Sequence, residues 1–280
     1  MDFQFYMDCT HGPILNKGGV IMEFNNLILK KEDGIGFLTV NRPKFLNCLN
    51  TETYKELYKA FEIIEDDEEI KVVILNGEGK SFIAGADISE MKDKDPIAAR
   101  KFAQVSLKTC RKIELLEKPV IAAVHGYVLG GGCELAMSCD FIIAGEGTKF
   151  GQPEVTLGIT PGSGGTQRLA RIVGRNRAKE IIFLGDLFNA AEGYRIGLVN
   201  RVFPDDQVQK EAIEIARKLI TRAQIAISYA KNAINRGIET DIETGLAIET
   251  DLFGLCFATE DQKEGMTAFV EKRKPVYKSK

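Results

Sequence analysis

The chain has 280 residues, 44% hydrophobic and 28% charged, the proportions of an ordinary globular protein large enough for one sizeable core. A formal net charge of −3 argues against a nucleic-acid binder driven by bulk electrostatics. No apolar run approaches the ~20 residues that span a bilayer, and no basic segment precedes an apolar core at the N-terminus, so neither a membrane span nor a signal peptide is predicted.

Cys9, Cys48, Cys110, Cys133, Cys139 and Cys256 include no Cys-x-x-Cys pair, and neither histidine stands at a ligand-like spacing. No metal site is expected. Free thiols in a reducing, cytoplasmic compartment are. Residues 1–21 are mixed and aperiodic. Lys17 to Met22 can be encoded by a purine-rich ribosome-binding sequence just ahead of an ATG, so Met22 is expected to be the natural start and residues 1–21 a leader.

Leu27-Ile28-Leu29 and Gly36 to Val40 read as strands joined by a turn at Glu32-Asp33-Gly34. Asn50 or Thr51 caps a helix whose apolar face is Tyr54, Leu57, Tyr58, Phe61 and Ile64. Acidic Glu65 to Glu69 reads as a solvated turn. Val72 to Leu75 is a buried strand, since no alternation interrupts it. Ala84-Gly85-Ala86 has almost no side chain, so its backbone can approach a ligand closely. Pro96 to Glu117 is an amphipathic helix that delivers the chain to a strand at Val120 to Val124.

The stretch from Lys118 to Glu154 carries the chemistry. Gly130-Gly131-Gly132 follows the strand and feeds a helix through Glu134 to Met137. The N–H groups of such a turn have no intrahelical partners and suit an anion, or an oxygen that becomes anionic only in a transition state. Glu134 lies just inside the helix, and Glu154 follows twenty residues on, after Gly151-Gln152-Pro153. Taken singly, the glycines are as readily a packing turn, Glu134 a first-turn glutamate favoured by the helix dipole, and Glu154 a loop carboxylate. Cys133 is read as packing because no partner base is apparent, and His125 as structural.

Phe141 to Ala144 makes another strand, and Thr160 to Thr166 a second glycine-rich loop before a helix through Leu169 and Val173. Gly164-Gly165 is read as close helix packing beneath a pocket. Strand–helix alternation to this point argues for stacked ββα units. From Asn176 on, the chain reads almost wholly helical, with amphipathic segments at Asp205 to Thr221, Ala223 to Arg236 and Asp241 to Leu255. Phe253, Leu255 and Phe257 in that last third are an expected subunit contact.

From about Met22 on, the sequence resembles the crotonase (enoyl-CoA hydratase) family. The resemblance rests on Asn41-Arg42-Pro43, Phe82 to Asp87, Lys118 to Glu134, Gly151 to Glu154, Pro161 to Leu169, Gly197-Leu198-Val199, Phe257 to Asp261 and the run from Glu264 to Lys274. It implies an α/β fold, a spiral of ββα superhelical turns over residues 22–205, with a helical C-terminal region over 206–280 that assembles a homotrimer or dimer of trimers. It implies an oxyanion hole from the backbone N–H groups of Ala86 and Gly131, with Glu134 and Glu154 as the catalytic acids of a hydratase. The substrate is an acyl-CoA thioester, with short-chain crotonyl-CoA and 3-hydroxybutanoyl-CoA first, and no cofactor or metal is called for. Lys44, Phe45, Ala84, Asp87, Ile88, Ser89, Phe253 and Lys272 are the expected substrate contacts. Phe45 and His125 depart from the residues usual there, alanine and asparagine. The alternatives are an isomerase on the same fold and a non-catalytic RNA-binding member. Retention of both acids weighs against the first, the acidic composition against the second.

Overall fold

Residues 21–280 are described by a computed structural model. The expected leader lies outside these residues except for Ile21. Strands β1 (Ile21–Glu23), β2 (Leu27–Glu32) and β3 (Ile35–Val40) form an antiparallel meander. Asp33 and Gly34 join β2 to β3 with φ of 49° and 80°. Two successive positive φ values give a turn whose twist matches the flanking strands, and Asp-Gly accepts them at least cost.

Asn50, not Thr51, caps α1 (Thr51–Asp66), its side chain accepting from the Thr53 N–H at 2.8 Å. Tyr54, Leu57, Phe61 and Ile64 are buried as their spacing predicts, and Tyr58 is half-buried. The chain continues through β4 (Val72–Gly77), α2 (Ile88–Met91), α3 (Pro96–Leu115), β5 (Val120–Val124), β6 (Tyr127–Leu129), α4 (Gly131–Ala136), β7 (Phe141–Gly145) and β8 (Lys149–Gly151). It then forms α5 (Gly165–Val173), α6 (Arg175–Leu184), β9 (Phe188–Asn189), α7 (Ala190–Arg195), β10 (Arg201–Phe203), α8 (Val208–Ile220), α9 (Gln224–Gly237), α10 (Ile242–Cys256) and α11 (Glu260–Val270).

The large sheet has seven strands in the order β1-β2-β3-β4-β5-β7-β10, parallel from β3 onward. A small sheet runs β6-β8-β9 and is extended by a bridge from Val128 to Ile83. Successive turns of the chain thus put one strand in the large sheet and the next in the small one before a helix follows. That is the ββα spiral expected.

Both faces of the large sheet are covered, which explains the uninterrupted apolar runs. Val73 and Leu75 of β4 and Val120, Ala122 and Val124 of β5 face the cluster under α1 and α3. Val72, Ile74, Ile121 and Ala123 face the other way, onto Val208, Ala212 and Ala216 of α8.

Two expectations need correction. The region after Asn176 is not almost wholly helical, because β9 pairs with β8 and β10 with β7. Strands this short carry no periodicity of their own, and pairing with an existing edge makes them strands. The acidic run Glu65 to Glu69 is clasped rather than simply solvated. Lys31 bridges Asp67 and Glu69, Lys112 pairs with Glu65, and Lys118 Nζ donates to the carbonyls of Ile64, Glu65 and Asp67 at the end of α1.

Lys231 fastens α9 to this core. Its Nζ lies 2.8 Å from Asp140 Oδ2, which also accepts the Val120 N–H at 2.7 Å. The Lys231 and Asp140 side chains are 8% and 21% exposed, so removal of the lysine would leave the Asp140 charge unpaired and largely out of water. Lys231→Met should therefore lower stability by about 3 kcal/mol. Urea unfolding measures this, and Lys231→Met/Asp140→Asn should recover part of the loss. An unchanged midpoint in the single variant would show that other contacts hold α9.

Candidate active site

β6 passes into α4 through Gly130, whose φ of 46° and ψ of −120° suit a residue without Cβ. The Gly130 N–H donates to the Gly151 carbonyl at 2.9 Å, which ties the first half of the chemical stretch to the segment carrying Glu154. A Cβ on Gly131 would lie 3.6 Å from the Ala86 nitrogen, so these two backbones run side by side. Ala86 is held there by the bonds from Leu49 N–H to Gly85 O and from Asp87 N–H to Leu49 O. Neither the Ala86 nor the Gly131 N–H has an acceptor among the described residues. Both residues line a cavity of about 410 Å³, and so do Glu134 and Glu154. Two adjacent unpaired donors over one cavity are the geometry that stabilises a developing oxyanion.

Glu134, in the first turn of α4, is 2% exposed. Its Oε1 accepts from the Ser163 and Gly165 N–H groups, each at 2.7 Å. No hydrogen bond falls on its Oε2 among the described residues, so that oxygen is available to a ligand in the cavity. Burial raises the carboxyl above its ordinary range, while the two backbone donors act the opposite way and favour the anion. Glu154 sits in the short 3-10 turn Pro153–Leu157 and is 9% exposed. Burial first, and then the charge of Glu134, push it up to about 7. The Gln152 amide, turned so that its nitrogen faces Glu154, donates to the two carboxyl oxygens at 2.9 and 3.2 Å. The pair therefore differs by its partners: fixed backbone donors grip Glu134, whereas Glu154 is poised to carry a proton near neutrality.

The structure brings Ala84, Ala86, Ile88, Gly131, Glu134 and Glu154 together on the cavity. Asp87 is engaged elsewhere: it pairs with Arg42 at 3.1 Å and caps α2 through the Ser89 N–H at 3.2 Å. Ser89 is exposed, with its hydroxyl on Asp87. Lys44 and Phe45 stand exposed on the turn Pro43–Phe45, with the Arg42 guanidinium 4.9 Å from the centre of the Phe45 ring. Phe253 and Lys272 are exposed in the C-terminal region and are not among the residues lining the cavity. Arg273, beside Lys272, is occupied by Glu264 and Glu271.

Sequence reading left out the residues that hold the acids. Gly165 does more than pack, because its N–H grips Glu134 and a Cβ there would sit 3.0 Å from Glu134 Oε1. Met91, Phe102, Leu157 and Ile159, which wall the cavity, also went unnamed as site residues. His125 is structural as expected, its Nε2 lying 3.0 Å from the Gly79 carbonyl. Cys133 is buried, and its thiol is pushed up to about 12, so it remains a neutral packing group.

The enoyl-CoA hydratase/isomerase family profile matches residues 30–280. The chain is 56% identical over 254 residues to a short-chain-enoyl-CoA hydratase of Clostridium acetobutylicum, covering 90% of this chain and 97% of that protein. It is 51% identical over 260 residues to a crotonyl-CoA hydratase of Syntrophomonas wolfei, covering 92% and 100%. The crystal structure of an enoyl-CoA hydratase from Bacillus anthracis superposes with a TM-score of 0.88 at 40% identity, covering 91% of this chain and all of that one.

The raised Glu154 carboxyl sets a pH dependence of stability. Its protonated form is favoured in the fold, so its stabilising contribution is present below the ordinary value of 4.5 and is lost as pH rises through about 7. Glu154→Gln should therefore gain in melting temperature relative to the parent chain between pH 5 and pH 8. A difference independent of pH would mean that Glu154 titrates as an ordinary carboxyl.

Proposed function

Because the chain belongs to the enoyl-CoA hydratase/isomerase family, we propose that it catalyses the reversible hydration of short-chain trans-2-enoyl-CoA thioesters, crotonyl-CoA foremost. The observation that carries this reading is the convergence of two unpaired N–H groups and two buried carboxyls on one cavity.

Addition of water to the C2–C3 double bond moves electron density onto the thioester oxygen. The Ala86 and Gly131 N–H groups are placed to receive that charge, and loss of one such donor costs about 3 kcal/mol in comparable sites. Glu134, gripped as a carboxylate, takes a proton from water as the water oxygen bonds to C3. Glu154, protonated up to about 7, delivers a proton to C2. Hydroxyl at C3 and hydrogen at C2 thus arrive from the same face. Addition of water transfers no net electrons to or from the thioester, so the chemistry calls for no redox cofactor.

The finer parts of the reading follow from the surface. Ala84 and Ile88 line the thioester end of the cavity, and Lys44 and Phe45 stand outside it, where the nucleotide of CoA would lie. α9 and α10 bury no residue, and Ile234, Ile238, Ile242, Phe253 and Phe269 are exposed on the C-terminal helices. Such an apolar face is suited to subunit contact, in a homotrimer or a dimer of trimers. Phe253 and Lys272 would then reach substrate through that contact. No helix of the described residues is long and apolar enough to cross a membrane. Free thiols at Cys48, Cys110, Cys133, Cys139 and Cys256 suit a reducing compartment, which supports a cytoplasmic setting.

The purified chain should abolish the ultraviolet absorbance of the enoyl thioester in crotonyl-CoA. Glu134→Gln and Glu154→Gln should each lower kcat by about 10²–10⁴-fold with the fold intact. No hydration by a well-folded parent chain would refute the assignment, and full activity in either variant would remove that glutamate from the mechanism.

A further inference from the structure

Tyr54 holds a polar atom for which neither the fold nor the reaction as derived accounts. The residue is wholly buried in α1, and its hydroxyl has no hydrogen-bond partner among the described residues. Phe102 meets the ring edge to face at 5.8 Å, and the Thr109 hydroxyl donates at 3.0 Å to the Tyr54 backbone carbonyl. Its oxygen points at the oxyanion turn, lying 2.8 Å from where a Cβ on Gly131 would stand.

A buried hydroxyl left without a partner is costly, and phenylalanine would fill the same space without that cost. The neighbours show what the hydroxyl can serve. Ser163 donates its backbone N–H to Glu134 at 2.7 Å and its hydroxyl to Ser106 at 2.7 Å. The titratable and charged groups around the phenol are Cys110 from α3, Glu134 from α4 and Glu154 from the 3-10 turn, and Arg168 of α5 faces Glu134. Burial, Cys110 and both carboxylates hold the phenol well above its ordinary value, so it remains an O–H donor across the working range. Gly131 and Glu134 stand three residues apart on α4, so the phenol oxygen that meets the Gly131 position faces the side of that helix from which Glu134 projects, and Ser163 grips Glu134 there through its N–H.

We propose that Tyr54 is a positioning residue for the hydration reaction, its hydroxyl donating toward the Ser163–Glu134 pair so that Glu134 stays a carboxylate while the substrate excludes water from the cavity. This inference rests on the functional reading above. Removing the donor raises the Glu134 carboxyl further, so that less of it is ionised at neutral pH and the acid limb of the activity profile moves up.

Tyr54→Phe removes only the hydroxyl. We expect kcat for crotonyl-CoA to fall about tenfold at neutral pH, with KM nearly unchanged and the acid limb displaced upward by about one pH unit. The melting temperature should hold or rise, since an unpaired buried group has been removed. Ser163→Ala keeps the backbone bond to Glu134, and its effect combined with Tyr54→Phe should be less than the product of the two. Titration of the Glu134 carboxyl by carbon-13 NMR, which needs no turnover, should show the same upward displacement. An unchanged profile and titration in Tyr54→Phe would overturn the proposal. So would a loss uniform across pH with a lower melting temperature, which marks a packing role. A parent chain inactive on crotonyl-CoA would overturn the functional reading, while the NMR titration would still decide whether Tyr54 acts on Glu134.

Discussion

Two backbone N–H groups on one oxygen of Glu134 are the contact on which the site depends. Burial of a carboxyl that is 2% exposed favours its neutral form, and these two donors oppose that. Ser163 and Gly165 supply donors that favour the charge without themselves titrating. They come from a loop about thirty residues further along the chain, and that loop must be rigid to be useful. Arg168 makes it so: Nη1 donates to the Ser163 carbonyl at 2.7 Å, while its Nε pairs with Glu114 of α3. The Arg168 and Glu114 side chains are 14% and 20% exposed, so this pair is shielded from salt in a way that the surface pairs are not. The charge state of one catalytic group thus runs through a loop, a helix start and an ion pair back to the core.

Close approach of backbones is the second requirement, and it explains where side chains are missing. A Cβ on Gly132 would meet the Ile83 side chain at 2.7 Å, so β6 and α4 reach the neighbouring turn of the spiral only because that position is bare. Ile83 is in turn bridged to Val128 of β6. The Ala86 and Gly131 donors belong to different turns of the spiral, and this contact sets them side by side. Read in this way, the triple glycine is both packing turn and oxyanion turn. The packing creates the chemistry.

Much of this was legible in the sequence, for physical reasons that differ from place to place. β4 and β5 could be read because a sheet covered on both faces needs uninterrupted apolar residues. α1 could be read because only one of its faces is buried. The large-sheet hairpin announced itself through Asp33-Gly34, whose conformation few other pairs accept. Short strands β6, β8, β9 and β10 gave no such signal, since three residues cannot display a period. Glu134 and Glu154 stood out only through the family pattern; alone, each resembles an ordinary surface glutamate. Ser163, Gly165 and Gln152 were harder still. Their work is done by backbone N–H groups or a side-chain amide, and its partners lie far away along the chain. Asp87, given as a substrate contact by the family resemblance, has its side chain committed to Arg42 and to the start of α2.

The distribution of cost and stability across the molecule follows from the same arrangement. Two carboxyls raised by burial and an unpartnered phenol lie close together at the site; burial favours the neutral form that the reaction uses for Glu154 and Tyr54, but opposes the carboxylate that it uses for Glu134. The stabilising burial lies in the clusters on the two faces of the large sheet, and the first of these extends to Tyr54 and Phe102 beside the cavity. The C-terminal helices contribute little of it, since α9 and α10 contain no fully buried residue and meet at Gly237 and Gly245, where even a methyl group on Gly237 would touch at 3.5 Å. A helix pair this closely joined, apolar outside and tied to the core by Lys231, is rigid within itself but only partly covered. Association of its open face would bury the apolar surface that the single chain leaves exposed.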